Sequence, residues 1–144
     1  MSAGMTEDER RAIEQDCLKL IATYAVAADH HDAEAFVGIF TEDGEWIRPK
    51  ASLKGHAALR DFMVRRPRDV LSYHVSSNAV VTVTGPATAR GISYATVYRH
   101  EGHAGGEAPL IGPEAIVEYH DDFVLTPAGW RIAARRSHSI FRRA

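Results

Sequence analysis

An α+β fold, with helices at the N-terminal end and a curved, mostly antiparallel sheet after them, is predicted by three features of this sequence. Apolar residues recur at helical spacing from residue 7 to residue 30. From Val70 onward the period changes to two. The alternating stretches are joined by glycine and proline turns, so strands follow helices rather than interleave with them.

Each element has its own warrant. In the first helix Ile13, Cys17, Leu20, Ile21, Tyr24 and Ala28 form one face, and Glu7, Asp8 and Glu9 suit its positive end. His30-His31-Asp32 breaks it, and Asp32 can cap a shorter helix carrying Phe36, Ile39 and Phe40. Thr41-Glu42-Asp43-Gly44 reads as a turn into an extended stretch, Glu45 to Arg48. Gly55 to Arg66 is a third helix ended by Pro67. Four strands follow: Val70 to Thr84, Thr88 to Arg99, Ile116 to Leu125, and Trp130 to Phe141. The first alternates with Leu71, Tyr73, Val75, Ala79, Val81 and Val83 on one face. Glu101 to Glu114 is a glycine- and proline-rich loop of a length often used as a lid.

The bulk numbers narrow the class. A chain of 144 residues, 45% hydrophobic and 25% charged, buries a core within one domain. A net charge of −2 speaks against nucleic acid or a membrane surface as partner. The single cysteine, Cys17, excludes an internal disulfide. The stretch beginning at Met1 is charged and lacks the apolar core of a secretion signal, so a cytoplasmic, reduced protein is expected. Eight histidines raise the question of a metal. Yet His30, His31 and Asp32 are adjacent and diverge, and no HExxH or cysteine pair occurs; no metal or cofactor is expected.

One position stands out chemically. Asp29 is the next step on the stripe Leu18, Ile21, Ala25, and a carboxylate there is costly unless the interior supplies a partner. His74, in the segment SYHVSSN, is the candidate. With one ring nitrogen held by Asp29, the other is free to move a proton. Strict alternation sets His74 opposite Leu71, Tyr73 and Val75, so it reaches the interior only through a bulge near Ser76-Ser77 or a polar, cavity-facing side.

These residues resemble a known family. Tyr24-x4-Asp29-x2-Asp32, Phe40-Thr41-Glu42-Asp43-Gly44, Gly55, His74-x3-Asn78, Ala89-x4-Tyr94, Tyr119-x3-Phe123 and Gly129-Trp130-Arg131-Ile132 resemble the pattern of SnoaL-like proteins. These belong to the nuclear-transport-factor-2-like superfamily, and the match runs over nearly the whole chain. The resemblance implies a cone of helices packed on a strongly curved, mixed sheet enclosing a pocket, assembled as a homodimer or homotrimer. Relatives include scytalone dehydratase, hexachlorocyclohexane dehydrochlorinase, bile acid dehydratase, polyketide cyclases and steroid isomerase, besides non-catalytic small subunits of ring-hydroxylating dioxygenases. Several of the eliminating enzymes use an acid and a histidine at positions that match Asp29 and His74, and Tyr24 matches a pocket tyrosine.

The expected activity is a cofactor-independent, dehydratase-like lyase acting on a small hydrophobic cyclic or aromatic molecule. An isomerase or cyclase using Asp29 as base, and a non-catalytic binding protein, are the alternatives. Tyr24, Trp46, Tyr94 and Tyr98 are expected to line the pocket, although large residues at such places also serve packing. Arg136 and His138 share a face with Trp130 and Ile132 and could bind an anionic group. Arg135, Arg142 and Arg143, and the cluster Arg65-Arg66-Pro67-Arg68, read as solvated. Without a basic rim, the pocket is expected to favour a neutral ligand.

Overall fold

The computed structural model describes residues 4–144, so the first three residues of the N-terminal stretch lie outside the described part. Helix α1 (Glu7–Asp29) starts at a capping box. The Thr6 hydroxyl accepts from the Glu9 amide at 3.1 Å, and the Glu9 carboxylate accepts from the Thr6 amide at 3.4 Å. Helix α2 (Ala33–Gly38) is capped by Asp32, which accepts from the Ala35 amide at 3.1 Å. Helix α3 (His56–Arg65) follows Gly55, whose φ of +87° only glycine adopts without strain. Among the described residues no helix is long and apolar enough to cross a membrane.

Six strands complete the fold: β1 (Phe40–Ile47), β2 (Ser52–Lys54), β3 (Leu71–Gly85), β4 (Thr88–His100), β5 (Ala115–Thr126) and β6 (Gly129–Arg142). They lie in the order β2-β1-β6-β5-β4-β3. Among the described residues only β1 and β6 pair in parallel. The α+β class and the mixed, mostly antiparallel sheet are as the sequence led us to expect. Two local expectations need correction. Thr41 to Gly44 is not a turn but part of β1, where the register to β6 shifts between Phe40 and Glu45. Gly44 is needed there, because a Cβ would meet the Phe40 Cβ at 2.8 Å. The short strand β2, which pairs with β1, spans only three residues and was not foreseen.

The core lies between the helices and the concave sheet face, around Cys17, Phe36, Phe40, Leu59, Phe123 and Ile132, each almost fully buried. Every such aromatic or aliphatic side chain contributes roughly 1.5–3 kcal/mol. Burial, followed by Asp16 and Asp121, pushes the Cys17 thiol up to about 12, so it behaves as a small apolar filler.

Bulges bend the sheet and reassign its faces. Ser77 pairs with Tyr94 but Val80 pairs with Ile92, so β3 carries one extra residue, and Asn78 there adopts φ +52°. Before the bulge the even positions Ser72 and His74 point inward while Tyr73 and Val75 are exposed; after it, Val81 packs against the core. A second bulge lies in β6. Asp122 pairs with Ala134 but Phe123 with Ile132, which leaves Ala133 as the extra residue.

Candidate active site

Asp29 is the last residue of α1 and is 8% exposed, with no basic side chain in that last turn. A carboxylate at a helix C-terminus is disfavoured by the dipole and by burial alike. Three groups offset that cost. The His74 ring sits with Nδ1 2.6 Å from Asp29 Oδ1, and the His74 amide donates to Oδ2 at 3.0 Å. Ser72, itself buried, donates to Oδ1 at 3.4 Å. Both carboxylate oxygens are therefore occupied, and Nδ1 of the imidazole carries the hydrogen when the ring is neutral. Nε2 is left with a lone pair.

Arg66 closes the arrangement from behind. It donates to the Ala28 carbonyl and to the Ser72 hydroxyl, satisfying the end of α1 and orienting the serine toward Asp29. Burial, then repulsion from Arg99, lowers its pKa. The expectation of a solvated helix end fails for this residue, because Pro67 turns the chain and folds Arg66 under α1.

Beside the pair lies a cavity of about 460 Å³. Tyr24, Trp46, Phe62, Met63, His74 and Tyr119 form much of its wall. Tyr24 holds these rings together, with centroids 5.2 Å from Phe36, 5.9 Å from Trp46, 5.4 Å from Tyr119 and 6.2 Å from His74. Burial, reinforced by Tyr119, raises its pKa well above the ordinary range, so it stays a neutral phenol. Trp46 is fixed by donation from its Nε1 to Ser137 Oγ at 2.8 Å.

Beneath the rings is an ion pair that sequence reasoning missed. Arg135, fully buried, forks onto Asp121 at 2.7 and 2.8 Å. Its guanidinium lies 4.2 Å from the Tyr24 ring centre and 4.0 Å from that of Tyr119. Burial opposes the charge, but Asp121 outweighs it, so Arg135 is held above its ordinary pKa. The signal that could have found it was the break in alternation at Ala133-Ala134.

That same bulge corrects a pair of expectations. Arg136 and His138 lie on the outer face, opposite Trp130 and Ile132 rather than beside them. Arg136 pairs with Asp122 at 3.0 Å, and the His138 ring stands 5.1 Å from His120. Tyr94 and Tyr98 also face outward, since the inward positions of β4 are Ala89, Ser93, Ala95 and Val97. Of the residues expected to line the pocket, Tyr24 and Trp46 do so. The expectation of a pocket without a basic rim is overturned as well: Arg48, Arg66, Arg99 and Arg142 line it, against Glu101 and Glu114. Among the described residues no group of three or more histidine, cysteine, aspartate or glutamate side chains is placed to hold a metal ion.

Similarities to known proteins agree with this architecture. No curated protein matches the sequence. A protein of unknown function from Mycobacterium tuberculosis is 28% identical, with a TM-score of 0.77 over 95% of this chain and 78% of that one. A nuclear-transport-factor-2-like protein with a cystatin-like fold from Novosphingobium aromaticivorans is 29% identical, with a TM-score of 0.78 over 93% of this chain and 86% of its own. A hexachlorocyclohexane dehydrochlorinase from Novosphingobium barchaimii shares the fold at 14% identity, with a TM-score of 0.80 over 96% and 93%. The family model of the SnoaL-like domain matches residues 9–136. The chain belongs to the SnoaL-like family.

Proposed function

We propose that the protein is a cofactor-independent lyase acting by elimination on a small cyclic or aromatic molecule held in the cavity. The observation that carries this reading is the 2.6 Å contact between Asp29 Oδ1 and His74 Nδ1 at the wall of an aromatic-lined hollow. Asp29 holds the ring and its tautomer, and Nε2 takes a proton from a carbon next to an electron-withdrawing group. The electrons of that C–H bond form the new double bond. The leaving group departs from the neighbouring carbon with its bonding pair, as halide, or as water after receiving the proton back from the imidazolium. Tyr24, kept a neutral phenol, lends its ring to the wall against which the substrate lies. The family's eliminating enzymes support this reading, as does the dehydrochlorinase whose fold it shares.

Asp29 as the base of an isomerase is the weaker alternative, because both of its oxygens already accept from His74. A purely ligand-binding role gives no reason to bury an acid against an imidazole at a cavity wall.

The test is turnover. A panel of halogenated and hydroxylated cyclic compounds is incubated with the protein, and loss of HX or water is followed by mass spectrometry. His74→Ala is expected to lower kcat for any active compound by about 10²–10⁴-fold. Undiminished turnover in that variant would remove His74 from the reaction.

A further inference from the structure

The mouth of the cavity gathers four arginines and two glutamates from separate elements. Two of the arginines are already engaged: Arg66 with Ala28 and Ser72, and Arg99 with Glu101 at 3.2 Å. Arg142, the last residue of β6, is exposed and makes no side-chain hydrogen bond or ion pair among the described residues. Arg48 differs from all three. It leaves the end of β1 with its guanidinium carbon 4.6 Å from the Trp46 ring centre and 4.8 Å from that of Phe62. Those two rings meet at 86°, so the cation sits in the corner they form. Among the described residues Arg48 makes no ion pair, and its Nε is shut off from solvent without a hydrogen-bond partner. A guanidinium held in the corner of two rings beside a hollow, lacking a carboxylate of its own, is a preorganised receptor for one.

We infer that the molecule bound in the cavity is an aromatic or cyclic carboxylate, its ring against Tyr24 and Trp46 and its carboxylate on Arg48. This rests on the reading that the cavity takes a cyclic substrate, and it does not require His74 to be catalytic. From Arg48 the wall continues through Trp46 and Tyr24, in ring contact with each other, to His74. The acidic group thus anchors one end of the substrate and the reacting carbon lies toward the other. The sites of charge recognition and of proton transfer are separate, so specificity and chemistry are separately mutable.

The experiment uses two probes of one shape, 2-naphthoate and the neutral 2-naphthamide, neither of which has a leaving group. Their affinities for the whole protein are measured by titration calorimetry. The naphthoate is expected to bind roughly tenfold or more tightly. In Arg48→Gln that preference should fall to about twofold or less, with naphthamide binding unchanged. Arg48→Lys keeps the charge but loses the planar fork, and should lose at least about threefold of the preference; this variant decides the matter if Arg48→Gln does not fold. Equal affinities in the parent protein, an unaltered preference in the Arg48 variants, or no binding of either probe at millimolar concentration overturns the inference. His74→Ala separates the two readings. If it abolishes turnover and keeps the carboxylate preference, both stand; if turnover is unaffected and the preference remains, only the catalytic proposal falls.

Discussion

Arg135 and Asp121 form the most deeply buried ion pair among the described residues. Both side chains are completely buried and joined by two short hydrogen bonds, while Arg135 Nη1 stays buried without a partner. Their worth as a pair is modest, because desolvation offsets much of the attraction; removing one partner is what costs. Asp121→Ala is therefore expected to lower the unfolding free energy by about 3–5 kcal/mol, measured by urea denaturation, through the stranded guanidinium beneath Tyr24 and Tyr119. An effect under about 1 kcal/mol would mean that water or another acceptor reaches Arg135. The pair also explains why Tyr24 keeps its place: its ring packs against a cation that cannot move.

Among the elements, β3 does the most to make the site. Its bulge gives one strand two inner faces, polar at Ser72 and His74, apolar at Val81 and Val83. Asn78 supports it in a left-handed conformation that asparagine tolerates and a β-branched residue does not. Asn78→Gly should change stability by less than about 0.5 kcal/mol, while Asn78→Val should cost about 1–3 kcal/mol, both read from denaturation midpoints. The limits of α1, α3 and the four long strands were legible to within a residue or two, because period, caps and turn residues are local signals. By contrast, β1 begins five residues earlier than read and β2 was missed. The Asp29–His74 contact was legible too, since a carboxylate on an apolar helical stripe demands a partner. The outward turn of Tyr94, Tyr98, Arg136 and His138 was not. For Arg136 and His138 the reason is the single extra residue in β6, which inverts everything beyond it and leaves only a faint trace in the pattern. Strand β4 alternates without a bulge, and its small residues Ala89, Ser93 and Ala95 take the inner face instead of the tyrosines. Nor was the gathering of Arg48, Arg66, Arg99 and Arg142, which come from a hairpin, a helix end and two strands and meet only in space.

At the scale of the whole molecule, the helices and the concave sheet face enclose the core and cavity, and the other sheet face is left bare. Tyr73, Val75, Val80 and Tyr94 stand on that outer face between 38% and 58% exposed. Exposed apolar side chains gathered on one sheet face mark a surface that another molecule often covers. Light scattering behind a sizing column is expected to return two or three times the 15.9 kDa of one chain, and Tyr73→Glu with Val75→Glu should reduce it to one. A parent protein already running at 15.9 kDa would dismiss the expectation. The inverted register of β3 has a further consequence for how such a molecule changes over generations. Its first half faces Asp29 and the cavity and its second half faces the packing, so selection can rework the one without disturbing the other. A lineage carrying this kink is free to try new chemistries while its scaffold stays sound.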